Sequence, residues 1–353
     1  MRNSIILLLI VLSVFIIASP LMAVSESAVL FLLISPGARA SGMGEAFVAV
    51  SDDATAAYWN PAGLAFQRGR EVTIMHAKWL PQLVSDMAYE FIAYKQYFES
   101  LGGTLGGNIT FLNLGEQVRT GEEGPEALGT FHSWDMGVTL CYATQLKDNL
   151  GLGIGVRYIH SNLAPFGAGE EKGNGVGSTF AVDLGVLYKM GFIPGLAFGA
   201  NLSNMGPKIT YVDADQADPI PTNLKIGFGY RVLDTEFNQL TLTVDTNKLL
   251  VVRHGGDNPS SDPFYKAIFT AWGDGSFKEQ ARRLISSAGA EYIYNNMIFL
   301  RAGYYYDEEG SVKYPSFGAG LQYSQFRFDF AYVAAPEGHP LSDTMRFSLS
   351  AKF

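Results

Sequence analysis

The chain has 353 residues and a formal net charge of −9, an acidic balance that argues against a nucleic-acid partner, which would need a basic surface. Only 17% of residues are charged against 48% hydrophobic, too few for the usual surface of a soluble domain. The single cysteine, Cys141, excludes a disulfide framework and a cysteine-based zinc site.

The first 23 residues read as an export leader. Arg2 supplies a positive start, residues 5–17 an apolar core, and Leu21, Met22 and Ala23 a cleavage region. A retained helical anchor is the other reading, and Ser19-Pro20 after so short a core argues against it. No later stretch has the length of apolar sequence that a membrane helix needs.

Residues 24–68 are expected to form a segment of their own kind. Within them, residues 35–65 are dominated by Gly, Ala and Ser. A run this poor in bulky apolar side chains builds no core by itself. It fits where backbone must thread an enclosed space, as a plug. Asp52 and Asp53 stand where a short helix would be capped. Trp59, Asn60 and Pro61 stand where it would stop, with the Asn60 side chain bonding nearby backbone. These five residues are the candidate plug or gate set.

From Arg70 onward the pattern has period two. Phe326, Phe328, Phe330 and Tyr332 share one face, opposite Arg327 and Asp329. Met345, Phe347, Leu349, Ala351 and Phe353 oppose Arg346, Ser348, Ser350 and Lys352. The segments run about ten residues, enough for a tilted strand to cross a bilayer. Their polar face mixes glycine with both signs of charge, including Asp183, Lys225, Arg231, Asp245 and Arg301. Such a face suits a lumen in which charges pair and glycine leaves room. About fourteen such segments fill residues 69–353, separated by alternating short and long connections. The long ones are 80–85, 115–130, 162–176, 205–221, 250–282, 307–313 and 336–342. The expected fold is all-β: a transmembrane antiparallel β-barrel with the N-terminal segment inside and both chain ends on the short-turn side. Membrane lipids are then one partner.

The connection 250–282 carries Phe264, Tyr265, Ile268, Phe269 and Trp272. Ile268, Phe269 and Trp272 would share one face of a short helix. Two readings stand: an outer docking surface, or a lid over the barrel. No catalytic or cofactor motif is found. Gly42 and Gly44 lack the third glycine and preceding strand of a dinucleotide site. The histidines are scattered. No enzyme activity, cofactor or metal is expected.

The run SPGARASGMGEAFVAVSDDATAAYWNPAGLA resembles the N-terminal signature of PorV/PorQ-type proteins, a branch of the FadL-like outer-membrane barrels. The later segments Asp245-Thr-Asn-Lys-Leu249, Gly289-Ala-Glu-Tyr292 and Leu300-Arg-Ala-Gly-Tyr304 carry the same likeness. The resemblance implies a fourteen-stranded barrel with an internal N-terminal segment, and a role in type IX secretion. It implies as partners secreted cargo proteins with a conserved C-terminal domain, a translocon barrel and sortase-type attachment components. A FadL-like transporter of hydrophobic small molecules is the alternative, and it implies an apolar pocket near the plug and a lateral opening at a kinked strand. One departure stands out: Glu45 occupies a position where many relatives have glycine.

Overall fold

The computed structural model describes residues 27–121, 124–166, 174–255 and 260–353. The expected leader, residues 1–23, lies outside the described residues. Fourteen strands form one closed antiparallel barrel. They are β1 (Arg70–Lys78), β2 (Ala88–Phe98), β3 (Gly103–Gly121), β4 (Gly124–Lys147), β5 (Leu150–Asn162), β6 (Val176–Lys189) and β7 (Leu196–Met205), then β8 (Asn223–Asp234), β9 (Asn238–Leu249), β10 (Ile285–Tyr294), β11 (Ile298–Asp307), β12 (Val312–Tyr323), β13 (Phe326–Val333) and β14 (Thr344–Lys352). Closure comes from β1, which pairs with β2 on one side and with β14 on the other. The count matches the reading of about fourteen segments from the two-residue period.

The alternation decides which face each residue takes. On β1, Glu71, Thr73, Met75 and Ala77 are buried while Ile74 and His76 are exposed. Leu140, Val156, Leu184, Val244, Leu300 and Leu321 also face outward, giving an apolar band for lipid contact. Exposed Tyr94, Tyr230, Tyr294 and Tyr323 ring one rim, where aromatic side chains match the membrane interface. Inward-facing charges pair: Arg157 Nη2 lies 2.8 Å from Asp183 Oδ2.

Short turns join the strands at the rim where β1 begins and β14 ends. Asn295 and Asn296, both at positive φ, make one of them, the left-handed geometry that matches strand twist. The opposite rim differs from expectation in two places. The described residues of 115–130, namely 115–121 and 124–130, are not an open loop; they continue β3 and β4 as paired strands beyond the wall. Irregular pairing is absorbed as bulges, with register shifts after Asn113, Arg119 and Thr120 and positive φ at Gly115 and Gly129. Residues 307–313 shrink to a tight turn between Asp307 and Val312.

The chain ends also differ from expectation. Arg70 and Phe353 do share the short-turn rim, where each backbone N–H bonds the other's carbonyl. The segment before Arg70, however, enters from the opposite rim. Ala28 N donates to Pro219 O in the β7–β8 connection at 2.9 Å. Val29, Phe31 and Leu32 then pack against Tyr89, Leu112, Ile159, Ile209 and Ile220. An even strand number constrains the two ends of the wall, not a segment that threads back along the lumen. An epitope inserted between residues 26 and 27 and one inserted at Ser324–Gln325 should therefore label opposite sides of the membrane. Antibody access in intact against permeabilised cells reads this out, and equal access to both tags would contradict the threading.

Candidate functional site

The residues of the N-terminal segment are mostly buried. The segment holds two very short helices, α1 (Ala38–Ser41) and α2 (Ala56–Trp59), and a 3-10 turn at Pro61–Phe66. Small residues dominate because backbone meets backbone. A Cβ on Gly303 would collide with Met43 and Gly44 backbone, and one on Gly199 with Val48 and Ala49 backbone. Wall glycine and segment glycine or alanine are thus two halves of one close approach.

Charge fixes where this approach occurs. Arg39 donates through Nε and Nη2 to the two carboxylate oxygens of Glu291, at 2.8 and 2.6 Å. Arg301 Nε donates to Glu291 Oε2 at 2.6 Å and Nη1 to Asp329 Oδ1 at 2.8 Å. Arg327 Nε donates to Asp329 Oδ2 at 2.8 Å and Nη2 to Asp53 Oδ2 at 3.2 Å. Asp53 Oδ2 also accepts from Arg39 Nη1 at 3.0 Å. The result is a closed ring, Arg39–Glu291–Arg301–Asp329–Arg327–Asp53, with signs alternating. Two members come from the segment and four from β10, β11 and β13. All six residues are buried.

The five candidate gate residues are not equivalent. Asp53 belongs to the ring, and its Oδ1 accepts the Thr55 backbone N–H at 3.0 Å. Asp52 caps no helix; it is half-exposed and pairs with Arg39. The expected capping pair is corrected in part: Asp52 turns to Arg39 instead, while Asp53 holds the Thr55 N–H at the start of the turn that leads into α2; α2 itself begins after Thr55 without a side-chain cap. Asn60 Nδ2 donates to Val48 O at 2.9 Å and Val186 O at 3.0 Å, and Oδ1 accepts from Ala62 N at 3.1 Å. It therefore stops the helix and ties the segment to β6. Trp59 Nε1 donates to Pro36 O at 3.2 Å, and its ring lies under Lys225 Nζ at 4.3 Å. Pro61 opens the 3-10 turn.

Sequence reasoning missed Arg39 and Glu291. The available signal was that Arg39 is a lone cation in a run of small residues. It also missed the cradle at Asp245, whose Oδ2 accepts Phe47 N and Val48 N at 2.7 and 2.8 Å. Glu45 takes φ +67, the left-handed conformation that glycine adopts freely. Its carboxylate accepts from Ser35 Oγ at 2.6 Å and Tyr314 OH at 3.1 Å. Those bonds offset the backbone cost.

On the opposite rim, α3 (Phe264–Thr270) and α4 (Phe277–Arg282) sit in the 250–282 connection. The expected common face of Ile268, Phe269 and Trp272 does not exist. Ile268 packs inward on Leu250, Val252 and Ala271, while Phe269 is 77% exposed. One position around a helix turns a side chain by about 100°. Tyr265 is 64% exposed and Trp272 49%; Phe264 is half-buried. Lys248 Nζ lies 5.0 Å over the Trp272 ring. Asp262 anchors α3 by accepting from Lys266 at 2.7 Å, His254 at 3.0 Å and Thr270 at 2.8 Å. Those bonds, Lys266 first, hold its carboxyl well below the usual carboxylate range.

Among the described residues no cluster of His, Cys, Asp and Glu could hold a metal ion. The histidines lie apart, on the outer wall and in outer connections. His76 pairs with Glu90 at 2.7 Å, His160 with Ser178 at 2.7 Å.

The family model for the type IX secretion system protein PorV matches residues 21–254. The chain belongs to the PorV family. The match spans the threaded segment and the first nine strands. No curated protein sequence matches the chain. In fold, this PorV-family barrel is similar to the toluene transporter TbuX of Ralstonia pickettii, at 17% identity, TM-score 0.53, and 90% and 96% coverage of the two chains. It is similar also to the toluene transporter TodX of Pseudomonas putida, at 12% identity, TM-score 0.54, and 90% and 99% coverage. A FadL homologue of Pseudomonas aeruginosa matches at 13% identity, TM-score 0.54, and 90% and 98% coverage. The PorV-family chain is thus a FadL-like barrel of the outer membrane.

Two outcomes follow for the segment. Arg39→Leu leaves Glu291 and Asp53 short of a buried partner, a loss of about 3–5 kcal/mol; thermal unfolding in detergent should shift down accordingly, and an unchanged midpoint would contradict the ring. Gly303→Val should prevent a folded, heat-modifiable barrel, whereas Gly191→Val, whose Cβ meets nothing nearby, should fold normally.

Proposed function

We propose that this protein is a non-enzymatic shuttle or scaffold of type IX secretion. In this reading it binds the C-terminal domain of secreted cargo at its long-loop rim and hands the cargo to sortase-type attachment machinery. The N-terminal segment, residues 24–68, acts as the plug of a barrel spanning 69–353. The observation carrying the reading is the PorV family match. Supporting it, the ring and the glycine contacts leave the segment tied to the wall along its length, which favours a role performed at the ends of the barrel. The exposed side chains of α3 then supply the contact. Tyr265 and Phe269 replace the original five residues as its centre, because Ile268 and Phe264 turn inward and Trp272 is engaged by Lys248. Aromatic side chains of this kind dominate protein contacts.

The transporter alternative draws on the fold shared with hydrocarbon channels and on a break in wall register, where Val182 pairs with Met205 and Leu184 with Leu202. Two cavities bear on it. One of about 430 Å³ is lined by Ile74, Ile92, Phe328 and Phe347 on the outer wall, and one of about 410 Å³ is strongly charged. Neither is an apolar chamber beside the segment, so the shuttle is preferred.

The test is binding of a purified cargo C-terminal domain to the full chain. Tyr265→Ala with Phe269→Ala should weaken binding by about tenfold or more without moving the unfolding midpoint. Intact binding in that variant, with toluene uptake by the unaltered protein, would favour the transporter.

A further inference from the structure

The charged cavity of about 410 Å³ opens at the short-turn rim and is used by neither the shuttle nor the transporter. Its floor is the segment, at Ser51, Asp52 and Gln67, and its wall includes Glu71, Lys95, Lys189 and Lys352. Glu71 on β1 stands directly across from Lys95 on β2 and from Lys352 on β14. Its side chain is 1% exposed, yet neither carboxylate oxygen has a hydrogen-bond partner. Both neighbouring lysines leave it unpaired. Lys95 Nζ donates to Arg68 O at 2.6 Å, and Lys352 makes no ion pair among the described residues. Lys189 Nζ lies 4.0 Å over the Phe66 ring, exposed at the mouth. A buried carboxylate without a donor is costly. Two amines flanking it across the sheet, in a protein of net charge −9, are not a random surface.

We propose that this mouth binds a phosphate ester that also carries an ammonium or hydroxyl donor, with phosphoethanolamine as the simplest such group. Lysines act as point charges suited to a phosphate, whereas a planar carboxylate would call for a forked arginine contact. Lys95 and Lys352, the two amines directly across from Glu71, take the phosphate oxygens. Glu71 accepts from the ligand's ammonium or hydroxyl, which supplies the missing donor. The group has two sources, a free phosphoethanolamine-like solute or a phosphatidylethanolamine headgroup at the rim.

The full chain in detergent is titrated with O-phosphoethanolamine and with inorganic phosphate, followed by calorimetry. O-phosphoethanolamine should bind more tightly than phosphate. Lys95→Ala and Lys352→Ala should each weaken both by about tenfold. Glu71→Gln should abolish only the preference for the amine-bearing ligand. Retention of phosphatidylethanolamine over phosphatidylcholine by the unaltered protein in native mass spectrometry, lost in Lys352→Ala, would identify the lipid source. Saturable binding of the soluble ester alone would identify the solute. Absence of saturable binding in every arm, or binding indifferent to both lysine substitutions, would overturn the site. Lys352 is exposed, so its variant keeps the test valid should Glu71→Gln fail to fold.

Discussion

The closed ring of Arg39, Glu291, Arg301, Asp329, Arg327 and Asp53 is the constraint on which the rest of the structure depends. Three guanidinium groups and three carboxylates are held out of water. Each carries a desolvation cost that its two neighbours in the ring offset, helped by Asp52 at Arg39 and by Thr55 at Asp53. Such a ring contributes little net stability over an apolar filling. What it supplies is register: Arg39 and Asp53 satisfy it at one depth and rotation of the segment. Asp245 at Phe47 and Val48, and Asn60 at Val186, then fix the segment at two further places.

Small residues make this register affordable in space. The lumen has room for a threaded chain only where one backbone lies against another. Glycines on the wall and glycines or alanines on the segment meet at those heights. Glu45 shows the same economy with an unusual residue. It keeps a glycine-like conformation and uses its carboxylate to hold Ser35 and Tyr314.

A lumen tied this closely moves chemistry to the two ends, which differ in character. The long-connection rim carries an anchored helix with aromatic side chains facing outward. The short-turn rim carries amines around an unpaired carboxylate. The first suits a protein surface and the second a small charged group, and the threaded segment runs between them.

The wall was legible in the sequence, because a strand places alternate residues on opposite faces and a lipid-facing barrel must keep one face apolar throughout. Phe326 to Tyr332 and Met345 to Phe353 state that pattern residue by residue, and Arg70 marks its start. The small-residue run likewise stood out from its surroundings in the sequence, and its residues are mostly buried. Partners across the lumen were not legible. Arg39 and Glu291 are far apart in the chain, and no local pattern says which carboxylate a buried arginine will meet. Ile268 and Phe269 separated because an inward direction exists only once Leu250 and Val252 are in place. Residues 115–121 and 124–130 continue as strands because strand pairing can absorb irregularities as bulges, a choice made between strands. Local period is a property of the chain alone; pairing of buried charges, depth of the segment and the direction of its entry are properties of the closed barrel.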